Sequence, residues 1–312
     1  MNRTVLLALL SSSIVFGAEV RQATVTTSAG PRRYLVATPP GGARPGAPLV
    51  LLFHGHMGSA KNTLGQGLGP ASPLSAWLPI VDREGLVVAA LDGAKGEDGQ
   101  QGWNDGRPGN SGNPTTDDVG FARGVIAMLQ QEQHIDPSRI YAMGMSNGGV
   151  FSFRLAQEVP LAGMAAVCAS MPGDHPPAPA KRLISVLMIE GTADPLMPYD
   201  GGQVHFYAKL RGAVLGTEAS LAYWRTVDGL SAPPTSEAIP HRGKDSTSIT
   251  RTTWGPANGP QVRLLRVEGG GHCEPSLAHQ LGWLYTKVCG VQNHDVEAAE
   301  EAWQFFKDKR AR

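Results

Sequence analysis

Five consecutive residues, Gly144-Met145-Ser146-Asn147-Gly148, constrain the fold more than any other part of the chain. They follow the short apolar run Arg139-Ile140-Tyr141-Ala142-Met143 and precede Val150-Phe151-Ser152-Phe153-Arg154-Leu155-Ala156. This order reads as a strand, a tight turn and a buried helix whose N-terminus points at the serine. A serine hydroxyl is a poor nucleophile unless it is held clear of the backbone beside a base. Such a turn is strained and needs small neighbours, which Gly144, Gly148 and Gly149 supply. A lone G-x-S-x-G also arises by chance in ordinary glycine-rich turns. The meaning of Ser146 therefore depends on its partners.

Two partners lie downstream, in the order Ser, Asp, His. The run Leu183-Ile184-Ser185-Val186-Leu187-Met188-Ile189 reads as a buried strand that empties into Glu190-Gly191-Thr192-Ala193-Asp194-Pro195. A second run, Val262-Arg263-Leu264-Leu265-Arg266-Val267, ends in Glu268-Gly269-Gly270-Gly271-His272. Asp194 alone could be a turn aspartate and His272 a surface histidine. All three candidates, however, fall where strands end, which is where open α/β sheets build their sites. The pattern predicts Ser146 as nucleophile, His272 as base and Asp194 as the acid that orients it.

With these residues in view, the chain resembles the secreted esterases related to polyhydroxybutyrate depolymerases and feruloyl esterases. The resemblance runs through nearly the whole mature chain. It rests on Leu52-Phe53-His54-Gly55, Gly102-Trp103-Asn104, Asp117-Asp118-Val119-Gly120-Phe121, the Ser146 turn, Gly191-Thr192-Ala193-Asp194-Pro195 and Gly270-Gly271-His272. It implies the same catalytic three and an α/β-hydrolase fold, a mostly parallel central sheet flanked by helices on both faces. One oxyanion donor is expected from the backbone N–H of Asn147, the residue after the nucleophile. The resemblance at His54-Gly55 points to the backbone N–H of His56 as the second. Two departures stand out. Relatives often carry Thr-Trp-Pro after the histidine where this chain has Cys273-Glu274-Pro275, and they often have cysteines near the Trp-Asn motif and after the later tryptophan segment, where this chain has none.

The first 18 residues read as a secretory signal: Arg3, an apolar core interrupted by Ser11, Ser12 and Ser13, and a small residue at Gly17 or Ala18. The apolar stretch is shorter than the ~20 residues a membrane span needs. An extracellular or periplasmic location follows, with residues 19–312 forming one catalytic domain and no second domain or binding-module linker. Lysine plus arginine equals aspartate plus glutamate, 27 each, so no basic field exists to hold nucleic acid. Of the three cysteines, Cys273 and Cys289 flank the segment after His272 and are the candidate disulfide, which secretion would favour. The alternative is a free Cys273 filling the cleft wall. Cys168, in an apolar run, reads as a buried thiol. No Cys-x-x-Cys or His-x-x-x-His spacing occurs, so no metal is expected, nor any cofactor.

Residues 20–27 and 33–37 read as an edge hairpin, 49–53 and 86–91 as central strands, 77–83 as a short helix, 219–227 as a helix and 296–309 as an amphipathic helix. Asp117 or Asp118 caps the helix that follows; helix capping explains the two better than a paired-carboxylate site. Residues 93–114 form a long glycine-rich loop, and loops of that length tend to be functional. Trp103, within it, is either a wall of the substrate cleft or a core anchor; Tyr199 either contacts substrate or packs. His54 precedes a glycine and reads as structural. Residues 231–245 read as a polar excursion. The leading function is a secreted serine carboxylic ester hydrolase working through an acyl-enzyme on polyhydroxybutyrate-type polyester or its oligomers. The alternative is a feruloyl or acetyl esterase on plant polysaccharide, followed by a serine peptidase and a non-catalytic binding protein. The expected partner is thus an ester, polymeric or oligomeric, with no nucleic acid and no stable membrane anchor.

Overall fold

In the computed structural model the described residues are 17–68, 71–173, 182–206 and 209–311. The expected signal segment lies almost wholly outside them. Apolar runs without alternation, such as Leu49-Val50-Leu51-Leu52-Phe53, can only be strands covered on both faces, and they make the middle of a ten-stranded sheet. In chain order its first strands are β1 (Glu19–Thr27), β2 (Gly30–Thr38), β3 (Leu49–Phe53) and β4 (Val87–Leu91). Two two-residue strands, β5 (Ala94–Lys95) and β6 (Gln101–Gly102), pair with each other in the long loop. The sheet continues with β7 (Ile140–Met145), β8 (Gly163–Val167) and β9 (Ser185–Gly191). A separate hairpin, β10 (Gly201–Phe206) and β11 (Lys209–Leu215), precedes the last sheet strands β12 (Thr235–Ile239), β13 (Ser248–Trp254) and β14 (Val262–Glu268).

The spatial order is β1-β2-β4-β3-β7-β8-β9-β14-β13-β12. The six strands from β4 to β14 run parallel, and antiparallel strands close both edges. The expected polar excursion contains a correction here: its middle is β12, the edge strand paired with β13. Its residues are exposed along almost the whole length, so no buried face imposes an apolar alternation that would announce it.

Seven α-helices accompany the described sheet: α1 (Ala60–Thr63), α2 (Trp77–Glu84), α3 (Asp118–Glu132), α4 (Asn147–Glu158), α5 (Thr217–Val227), α6 (Trp283–Cys289) and α7 (Ala298–Phe306). The strand period of two divides the core between two layers. Leu49, Leu51 and Phe53 pack with Val119, Phe151 and Trp224 of α3, α4 and α5, while Val50 and Leu52 pack with Trp77, Ile80 and Trp303 of α2 and α7. Asp117 caps α3 by accepting a hydrogen bond from Gly120 N at 2.7 Å. Asp118 does more than cap. It is buried, pairs with Arg32 at 2.5 Å and accepts from Asn104 N at 2.7 Å, so it ties the long loop to the edge hairpin. Among the described residues no helix is long and apolar enough to cross a membrane.

Candidate active site

The carboxyl ends of β3, β7, β9 and β14 converge on one cleft. At the end of β7 Ser146 adopts φ 54° and ψ −123°, a region costly for any side chain. Close packing enforces it. A methyl group added to Gly144 would lie 2.2 Å from the Gly148 carbonyl oxygen, and one added to Gly148 would lie 2.3 Å from that of Phe53. Only glycine lets strand, turn and helix come so close. Asn147 begins α4, so its N–H belongs to the first turn, where no intrahelical acceptor exists, and the helix dipole is positive there.

His272 and Asp194 meet across the ends of β14 and β9. Nδ1 of His272 donates to Asp194 Oδ2 at 2.7 Å, and both side chains are buried. The other oxygen of Asp194 accepts the N–H groups of Leu196 and Met197, each at 2.8 Å. This fixes the carboxylate, and a proton on Nδ1 leaves Nε2 of His272 as the basic nitrogen. Ser146 and His272 line the same cavity of about 300 Å³. Glu190, at the end of β9, is a second carboxyl close by. Burial pushes its carboxyl well above the usual carboxylate range, and it accepts the N–H of Ala169 at 3.1 Å. Cys168 also stands near, its sulfur within 4.8 Å of Asp194 and His272 ligand atoms. Burial raises that thiol as well, and the Asp194–His272 hydrogen bond already accounts for the grouping.

The loop after β3, from which the second oxyanion donor is expected, borders the cavity. His56 lines the cavity beside Asn147, and a methyl on Gly55 would lie 3.4 Å from Ser146 Cβ, so this loop rests directly on the nucleophile's turn. Met57, at φ 68°, donates its N–H to Gln101 O at 2.8 Å. His54 holds the loop from within: its Nδ1 donates to Gly55 O at 2.7 Å and its Nε2 accepts Gly93 N at 3.0 Å. Both nitrogens are used, and burial lowers the imidazole to about 4. It is a structural residue.

Trp103 requires a correction as a cleft residue. It is fully buried, stacks on Phe151 at 5.3 Å and meets Phe53 edge-on at 5.1 Å. Its indole N–H donates to His54 O at 2.8 Å, and its backbone N–H donates to Asn147 Oδ1 at 2.7 Å. One tryptophan thereby ties the oxyanion loop to the residue after the nucleophile. Tyr199 is also not a cleft residue. Its hydroxyl reaches Glu218 at 3.2 Å and its ring lies under Arg266, away from the residues that line the cavity.

The expected staple is corrected too. Cys168, Cys273 and Cys289 are all free thiols. Backbone pairing holds the segment after the histidine instead: His272 N donates to Cys289 O at 2.6 Å and Gly271 N to Val291 O at 2.9 Å. Gly271 allows this approach, since a methyl there would lie 2.1 Å from the Cys289 carbonyl oxygen.

Several lining residues carried no sequence signal. Met57, Leu196, Met197, Val204, Phe206 and Tyr285 make the walls apolar, and Arg107 and Arg211 add charge. The length of the loop over residues 93–114 did point to function, and Arg107 sits in it; the β10–β11 hairpin, which carries Val204, Phe206 and Arg211, had no comparable mark. A second cavity of about 490 Å³ shares Gly55, His56, Met145 and Tyr285 with the first. The two cavities thus adjoin at the loop after β3 and at Tyr285.

Comparison with known proteins bears on the family and the fold. NocK of Nocardia uniformis subsp. tsuyamanensis, a proposed esterase by name, is 34% identical over 288 residues, covering 87% of this chain and 78% of its own. The chain belongs to the α/β-hydrolase esterases related to feruloyl esterases. Another relative within this esterase group is feruloyl esterase B of Piromyces equi, 28% identical over 246 residues; the match covers 77% of this chain but 42% of that protein. Residues 74–167, which include the Ser146 turn, match the prolyl oligopeptidase family. Among solved structures, the acetyl xylan esterase from Aspergillus awamori superposes with a TM-score of 0.55 at 13% identity, over 92% of this chain and 99% of that one. A thermostable esterase superposes with a TM-score of 0.52 at 15% identity, over 93% of this chain and 63% of that one. These two likenesses establish the shared fold.

Proposed function

We propose that this carboxylic ester hydrolase is exported and works through an acyl-enzyme on Ser146. The observation that carries the mechanism is the His272–Asp194 hydrogen bond of 2.7 Å beside a serine held at φ 54° in the same cavity. Nε2 of His272 takes the hydroxyl proton as Oγ bonds to the ester carbonyl carbon. Backbone N–H groups of Asn147 and His56 receive the negative charge that develops on the carbonyl oxygen; losing one such donor typically costs about 2.7–4 kcal/mol in the barrier. The C–O bond then breaks and the alcohol leaves with the proton from His272. Water repeats the sequence to release the acid. Asp194 keeps the imidazole oriented and stabilises its charge. Export rests on the composition of residues 1–18 alone.

For the substrate, the apolar walls favour a weakly polar unit beside the scissile bond, and the adjoining second cavity leaves room for the rest of the ester. A hydroxybutyrate-type polyester or its oligomers meets both demands. A feruloyl or acetyl ester of plant polysaccharide is supported about equally, because feruloyl esterase B and the bifunctional acetylxylan esterase/xylanase XynS20E of Neocallimastix patriciarum are among the relatives. Initial rates on a hydroxybutyrate dimer, methyl ferulate, acetylated xylan and short p-nitrophenyl esters, measured in parallel, separate the classes. The hydroxybutyrate reading expects the dimer to exceed the ferulate and the xylan. The reverse order would favour the polysaccharide esters, and inactivity on every ester would overturn the mechanism.

A further inference from the structure

Two arginines reach the catalytic cavity from different excursions of the chain, Arg107 from the long loop and Arg211 from β11. Neither has a part in the chemistry described above. Both are deeply buried, their side chains retaining 2% and 7% of their exposure. Buried guanidinium groups are normally paired and fully hydrogen-bonded. These are paired but not fully used. Arg107 gives Nε and Nη2 to Asp105 at 3.0 and 2.6 Å, while Nη1 has no acceptor. Arg211 gives Nη2 to Asp98 at 2.8 Å, while Nε and Nη1 have none.

The surroundings hold these buried, unpartnered donors in place. A methyl on Gly112 would lie 2.3 Å from Arg211 Nη1 and 2.8 Å from His56 Cε1, so only glycine fits against the arginine and the loop after β3. Gly212, at φ +75°, lets β11 lie against Arg107, whose Cβ would be 3.0 Å from an added methyl. Asp105 also accepts Asn147 Nδ2 at 2.6 Å and Asn113 Nδ2 at 2.5 Å. Asp98 lies 3.0 Å from His56 Nε2. Each aspartate thus fixes its arginine to the frame around the nucleophile and occupies only part of the guanidinium's hydrogen-bonding capacity. Fixed, unfilled N–H donors on two guanidinium groups are suited to a carboxylate, whose oxygens accept charge-assisted hydrogen bonds.

We propose that Arg107 and Arg211 form a carboxylate subsite, so that the favoured ester carries a free carboxylate beyond the scissile bond. This rests on the esterase reading and sharpens it. A hydroxyacid oligomer cut near its acid end has such a group, whereas a neutral feruloyl or acetyl sugar ester does not. The arginines select and position substrate; they take no proton.

The test uses the 3-hydroxybutyrate dimer as its free carboxylate and as its terminal primary amide, a matched pair with one cleavable ester. Wild-type enzyme is expected to show at least about tenfold higher kcat/KM on the carboxylate. Arg211→Met should bring the ratio toward one, chiefly through KM, and Arg211→Lys should restore part of it. Equal rates on the two dimers, or preference for the amide, would overturn the subsite. Binding of both dimers to Ser146→Ala by calorimetry gives a readout that does not need turnover and does not touch the arginines. Tighter binding of the carboxylate without hydrolysis by wild type would uphold the subsite while breaking the esterase reading for this substrate. Equal binding, or none, would overturn the subsite.

Discussion

The floor and the walls of the cleft are built by different means. The floor consists of Ser146, Asp194 and His272 at the ends of parallel strands, each held by backbone geometry and close glycine contacts. The walls come from the loops after β3 and β9, from residues 93–114, from the β10–β11 hairpin and from the segment after His272, and they present Met57, Leu196, Val204, Phe206 and two arginines. Ester chemistry requires one fixed arrangement of nucleophile, base and acid, and a rigid sheet edge provides it. Selection among esters requires variation in shape and charge, which excursions can supply without disturbing the sheet. The two regions therefore ought to respond differently to substitution.

Asp194→Asn should have the largest effect. Amide in place of carboxylate favours the wrong tautomer of His272, and kcat should fall by about 10⁴-fold on every ester alike, with KM little changed. Loss confined to long acyl chains would mean that the floor also selects substrate, and the contrast between floor and walls would fail.

Trp103→Ala probes the joint between the two regions. Removing a fully buried indole that bonds to His54 O and packs on Phe53 and Phe151 should destabilise the protein by about 3–5 kcal/mol. Thermal unfolding measures it. Tyr199→Phe, removing only a hydroxyl bonded to Glu218, should leave both stability and turnover nearly unchanged. Loss of turnover in Tyr199→Phe at unchanged stability would return Tyr199 to the cleft.

A charge-linked prediction concerns His54. Its folded pKa of about 4 lies below the ordinary 6.5, so the unfolded chain binds a proton that the folded chain excludes. The contribution is fully present above about pH 6.5 and is lost as pH falls toward 4. From pH 7 to pH 5 the wild type should lose roughly 2 kcal/mol relative to His54→Asn. Parallel unfolding curves at the two pH values would show a catalytic-loop histidine that is not locked neutral.

On the wall, Leu196→Ala should lower kcat/KM for a butyrate ester relative to an acetate ester by about tenfold or less, since one pocket contact changes selectivity by roughly 1–3 kcal/mol. Equal losses on both esters would place Leu196 in the catalytic frame rather than the wall.

The same division explains what could be read from the sequence. Residues such as Leu49 to Phe53, and Gly144 with Gly148, are constrained by burial on two faces and by backbone approach, and those constraints leave local patterns. Asp194 and His272 follow because each ends a strand of that kind. The length of residues 93–114 marked a functional loop, but nothing showed which way the ring of Trp103 within it faced, because apolarity fits core and cleft equally. Thr235 to Ile239 escaped as a strand because an exposed edge needs no apolar face. Arg211 could not be placed, since the pairing that buries it, with Asp98 at 2.8 Å, joins residues far apart in the chain. Cys273 and Cys289 are adjacent in space through backbone pairing, which spacing alone cannot distinguish from a disulfide.

Ester hydrolysis by this protein should turn on Ser146 as the nucleophile. The most direct measurement is covalent trapping with a fluorophosphonate, followed by intact mass and peptide mapping. A single adduct on Ser146, formed in step with the loss of esterase activity and absent from Asp194→Asn on the same timescale, is the predicted result. An adduct on another residue, or full ester turnover by protein labelled at Ser146, would contradict it.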